Sequence, residues 1–75
     1  VLTAENLARV TPGMTREQIR RLLGQPAHVY EFSLKREEVW DWRREDVPGT
    51  VSYFNVHFDL QGRVTHTSTN VEPQR

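Results

Sequence analysis

Between Met14 and Pro26 the chain specifies a helix at both ends, which constrains the fold more than any other stretch. Thr15 has the side chain of an N-cap, able to accept from the backbone N–H of Gln18. Gln18, three residues on, can return the bond to the N–H of Thr15 and close a capping box. Met14 before the cap and Ile19 at the fourth helical position have the spacing of a hydrophobic staple. Gly24 tolerates the left-handed backbone of a helix stop, and Pro26 prevents resumption. The segment from Leu2 to Val10 repeats this recipe, with Thr3 as cap and Glu5 in the first turn. Two short helices joined by Thr11-Pro12-Gly13 make a helical hairpin. Its apolar faces hold Leu7, Val10, Ile19, Leu22 and Leu23 at three- and four-residue spacing.

After Pro26 the hydrophobic period drops to two. His28, Tyr30, Phe32 and Leu34 alternate with Val29, Glu31 and Ser33, which predicts a first strand. Lys35-Arg36-Glu37-Glu38 reads as a charged connection. Trp40 and Trp42 alternate with Val39, Asp41 and Arg43 in a second strand, and Asp46-Val47-Pro48-Gly49 reads as a turn. In the third strand Phe54, Val56 and Phe58 share one side, with Tyr53, Asn55, His57 and Asp59 on the other. Asp59-Leu60-Gln61-Gly62 suits a type I turn closed by a glycine bulge, which pairs Asp59 with Arg63 and Phe58 with Val64. The last strand runs from Val64 to about Asn70, and 71–75 reads as a frayed tail.

The expected fold class is α+β: two N-terminal helices packed as a hairpin on one face of a three- to four-stranded antiparallel β-meander. The covered face is expected to hold Tyr30 or Phe32, Trp40, Trp42, Phe54, Val56, Phe58 and Val64. Seventy-five residues form one domain, 1–75. With no cysteine, the fold has neither a disulfide nor a thiolate-held metal. Ten basic residues balance ten acidic ones, which argues against a nucleic-acid partner. No apolar run reaches the roughly 18 residues that span a bilayer.

Chemistry is sparse. With Asp59 opposite Arg63, His57 faces Thr65 and His66 faces Val56, so the two imidazoles lie on opposite sides and share no metal; a register slipped by one residue would set them directly across from each other. There is no nucleophile elbow and no glycine-rich phosphate loop. Asp41, Glu45 and Asp46 read as a solvated strand end. No catalytic, cofactor or metal residue is therefore expected, and the chain is not expected to be an enzyme. Two surfaces remain as candidates. Arg9, Arg16, Arg20 and Arg21 can form a basic patch that meets anionic lipid headgroups or an acidic protein, although Glu17 stands four residues before Arg21. Tyr53, Asn55 and His57 on the outer face of the sheet can contact a partner, since aromatic residues are enriched at interfaces.

Three separated pieces resemble the SmpA/OmlA (BamE-like) family: Gly13-Met14-Thr15 with Ile19 and Leu23-Gly24-Gln25-Pro26, the pair Trp40 and Trp42, and the hairpin Phe58-Asp59-Leu60-Gln61-Gly62-Arg63-Val64. The resemblance implies the same two-helix, antiparallel-sheet fold. It further implies a non-catalytic domain on the periplasmic face of the outer membrane, usually lipid-anchored, with partners in the β-barrel assembly machinery. The lipid-modified cysteine of the family has no counterpart in this sequence. A β-lactamase-inhibitor-like module, which caps a periplasmic enzyme with a similar unit, is the alternative. Either a monomer or a strand-exchanged dimer is compatible with the short edge strands and the charged connection.

Overall fold

The computed structural model describes residues 3–71. Two short helices, α1 (Ala4–Ala8) and α2 (Arg16–Leu23), precede four strands: β1 (His28–Phe32), β2 (Glu37–Val47), β3 (Thr50–Phe58) and β4 (Val64–Val71). The strands form one antiparallel sheet in the order β1-β2-β3-β4. This is an α+β fold. Among the described residues no helix is long and apolar enough to cross a membrane.

The capping box forms as the sequence prescribes. Gln18 N–H donates to Thr15 Oγ1 (3.2 Å) and Thr15 N–H donates to Gln18 Oε1 (2.8 Å). Gly24 ends α2 at φ +85°, its N–H donating to the Arg20 carbonyl. Thr3 caps α1 by accepting from Asn6 N–H, while Leu2 lies outside the described residues. Ile19 and Leu23 of α2 are buried in one cluster with Trp40, Trp42, Phe54, Val56, Phe58 and Val64. Leu7, Val10, Met14 and Leu22 pack half-buried against it.

The turn after β3 also forms as expected. Gly62 N–H donates to the Asp59 carbonyl and Asp59 N–H to the Arg63 carbonyl. The Asp59 carboxylate accepts from the backbone of Gln61 and Arg63. Gly62 sits at φ +78°, where a Cβ would also run into the Arg16 guanidinium.

Beyond that turn the expected register fails. Phe58 pairs with Val64 as predicted, but His57 pairs with His66, because Thr65 is the extra residue of a β-bulge. The Thr65 hydroxyl donates to the His57 carbonyl (3.2 Å) and so occupies a group that a regular ladder leaves to the backbone. From the bulge onward every β4 residue pairs one position away from the bulge-free register, and His66 joins the face that carries His57.

The first strand departs as well. Val29 pairs with Trp40 and Tyr30 with Val39. Tyr30 and Phe32 therefore lie on the face opposite the tryptophans, not among them, and both are exposed. Leu34 stands fully exposed in the turn between β1 and β2, where Arg36 adopts φ +54°. Glu37 and Glu38 belong to β2, so the connection is not 35–38 but a four-residue turn two positions earlier, 33–36. Asp46 and Val47 likewise continue β2 across an irregularity, and Pro48-Gly49 makes the turn. Val71, expected in the tail, closes β4 opposite Ser52, while residues 72–75 lie outside the described residues.

Candidate functional site: the open face of the sheet

Alternation along the paired strands sorts the sheet into two faces. One carries Trp40, Trp42, Phe54, Val56, Phe58 and Val64, which cluster with α2. The other carries His28, Tyr30 and Phe32 from β1, Glu37, Val39 and Asp41 from β2, Tyr53, Asn55 and His57 from β3, and His66, Ser68 and Asn70 from β4. The sequence-predicted trio Tyr53, Asn55 and His57 thus shares one face. Its members are not equally available: Asn55 is buried, and Tyr53 and His57 are half-buried.

Tyr53 and Asn55 line an open depression of about 310 Å³, together with His28, Tyr30, Asp41 and Asn70. Asp41 is buried at 6% exposure and bonds His28, with Oδ1 3.0 Å from Nδ1. It is therefore not part of a solvated strand end. The side chain of Asp46 lies outside the described residues, and Glu45 accepts from Gly49 N–H at the turn. Along β1, His28, Tyr30 and Phe32 stack in a row, with successive ring centroids 5.8 and 6.5 Å apart. Such a row can emerge only if β1 turns its aromatic side away from the core, a choice that alternation alone leaves undecided.

The helix arginines do not make one free positive surface. Arg9 pairs with Glu5 (2.9 Å), Arg21 with Glu17 (2.6 Å) and Arg16 with Glu38. Arg20 places its guanidinium 5.0 Å over the Trp40 ring. Arg16 and Arg20 thereby spread over core aromatics, Arg16 also lying above Phe58. A second depression, of about 540 Å³, opens at the end of the sheet between the 33–36 turn and Leu60. It is lined by charges of both signs, among them Arg16, Arg36, Glu38 and Asp59.

The pieces that resemble one family in sequence touch one another in space. Gly13 N–H donates to the Val64 carbonyl and Val64 N–H to the Met14 carbonyl, each at 2.8 Å, and Arg16 N–H reaches the Gly62 carbonyl. Thr15 and Arg63 form a β-bridge. Trp42 Nε1–H donates to the Gly24 carbonyl at 3.3 Å. A family model described as the outer membrane protein assembly factor BamE domain matches residues 1–68. The chain belongs to the BamE domain family. No curated protein sequence matches it.

The residues of these three pieces are therefore architectural. Gly13 and Gly62 adopt positive φ where backbone meets backbone, Gly24 ends a helix and accepts from an indole, and Phe58 and Val64 fill the core. The residues facing away from the core, Tyr30, Phe32, Tyr53, His57 and His66, lie outside all three motif pieces. Asp41 and His66 are the residues of this face that sequence reasoning undervalued. The Asp41–His28 pair needs the β1–β2 register, and the His57–His66 pair needs the bulge at Thr65.

Proposed function

We propose that this BamE-family chain is a non-catalytic protein-binding domain of the cell envelope, serving outer-membrane protein assembly from the periplasmic side as one domain. In this reading the two helices act as a hairpin lid over the tryptophan face. The opposite face, with Tyr30, Phe32 and Tyr53, is the contact surface. The observation that carries the reading is the family match over residues 1–68. The choice of face rests on Tyr30 and Phe32, which stand 45% and 44% exposed in a stacked row although a small domain gains by burying such rings. Large aromatics held rigid at a surface are the usual anchors of protein interfaces. The helix arginines take the lesser part, because Glu5, Glu17 and Glu38 offset three of their four charges.

The test is capture from solubilised outer membranes on immobilised chain. The wild type is expected to retain a component of the β-barrel assembly machinery. Tyr30→Ala is expected to weaken capture by about tenfold or more, as loss of an aromatic anchor does. Retention of no such component counts against the assembly role, and undiminished capture by Tyr30→Ala counts against the face.

A further inference from the structure

We propose that Glu37, His57 and His66 form a binding site for one divalent transition-metal ion, with Zn2+ the best fit. The inference goes beyond the assembly reading and does not depend on it. One ligand atom from each of the three side chains lies within 4.8 Å of the others. Each comes from a different strand, Glu37 from β2, His57 from β3 and His66 from β4, so the site is held by sheet pairing and not by a loop. Two imidazoles and a carboxylate suit Zn2+ and its neighbours in the transition series, and do not suit Mg2+ or Ca2+, which take oxygen donors.

The hydrogen bonds show which nitrogens are ready to bind. The Thr65 hydroxyl has one hydrogen, and it goes to the His57 carbonyl at 3.2 Å. Its contact with His66 Nδ1 at 3.0 Å must then be a bond from Nδ1–H to Oγ1. Neutral His66 therefore keeps its proton on Nδ1, which leaves the Nε2 lone pair for a metal. His57 Nδ1 stands 3.2 Å from Glu37 Oε2, and an ionised carboxylate only accepts, so this contact is Nδ1–H to oxygen. A metal ion takes the place of that proton between His57 and Glu37. His57 Nε2 then donates to Ser68 Oγ, 3.1 Å away, whose hydroxyl can turn to accept. Both imidazoles thus carry an orienting hydroxyl on the nitrogen that does not bind the ion, the arrangement that fixes metal-bound histidines.

The distance still to close is small. Bonds of about 2.0–2.2 Å place tetrahedral ligand atoms roughly 3.4 Å apart; the three ligand atoms lie within 4.8 Å of one another, and His57 Nδ1 is already 3.2 Å from Glu37 Oε2. The imidazole rings lie stacked at 4.0 Å with 15° between their planes, so His66 must tilt toward His57. His66 is exposed and stands beside small residues of an edge strand, which lets it turn about its own torsions. Three protein ligands leave a fourth position to water or to a donor from another molecule.

The experiment is calorimetric titration of the tag-free chain with Zn2+, and with Mg2+ for comparison, alongside His66→Ala, Glu37→Gln and His28→Ala. Circular dichroism checks that each variant is folded. His66 is exposed, so its truncation leaves the fold intact. Expected is one Zn2+ per chain, no Mg2+ binding, and affinity weakened about tenfold or more in His66→Ala and Glu37→Gln. His28→Ala, whose imidazole sits with Asp41 elsewhere on the face, should bind as the wild type does. Absence of Zn2+ binding overturns the proposal, as does binding that survives His66→Ala or falls equally in His28→Ala.

Discussion

Phe58→Ala is expected to cost about 3–5 kcal/mol in urea denaturation, the range for emptying a fully enclosed aromatic site. Phe58 has no exposed surface, and its ring centroid is 4.8 Å from that of Trp40. It pairs with Glu38 on one side and Val64 on the other, and the Arg16 guanidinium of α2 lies 5.9 Å above the ring. Strands β2, β3 and β4 and helix α2 therefore all lose packing at once. A domain of 75 residues has a total stability on the order of 4–11 kcal/mol, so the variant should be largely unfolded at modest urea. Phe58→Leu, which keeps most of the volume, should cost under about 1.5 kcal/mol. If the alanine variant lost less than the leucine variant is allowed, the ring would not be enclosed as described.

Ile19→Asp is the second large effect, about 3–5 kcal/mol, from an unpaired carboxylate forced into an apolar site. Helix α2 buries only Ile19 and Leu23, and Ile19 has no exposed surface. The eight-residue helix is too short to persist in water on its own, so its order rests on that docking. The expected readout is a red shift of the tryptophan emission, since Trp40 and Trp42 are each 2% exposed and share the cluster with Ile19. Leu7→Ala in α1 serves as the contrast. Leu7 is half-buried and α1 contains no buried residue, so the loss should be about 1 kcal/mol with the emission unchanged. Equal losses at Ile19 and Leu7 would show that α2 carries no special share of the core.

What the sequence made legible follows from how local each signal is. The capping box, the stop at Gly24 and the turn at Asp59–Gly62 depend on residues within four positions of one another, and all three formed as read. The side of β3 that faces the core followed from strict alternation of Phe54, Val56 and Phe58. The errors arose where alternation holds but its phase is set at a distance. In β1 both phases carry apolar side chains, and pairing with β2 chose Val29 over Tyr30 and Phe32 for the tryptophan side. In β4 a run of Thr, Ser and His gives no hydrophobic phase at all, so nothing local marks Thr65 as the extra residue. The candidate surface suffered most from this. Alternation in β3 alone puts Tyr53, Asn55 and His57 on one face, whereas their neighbours Tyr30, Asp41 and His66 come from strands whose register only the assembled sheet defines.

The most direct test places a photo-crosslinking benzoylphenylalanine at Tyr30, at Tyr53 or at Arg21 in cells and identifies the adducts. Tyr30 and Tyr53 report on the open face, and Arg21, highly exposed on α2, reports on the helical side. Adducts to an outer-membrane assembly component from Tyr30 and Tyr53, with none from Arg21, are the result the account predicts. Adducts from Arg21 alone would contradict it.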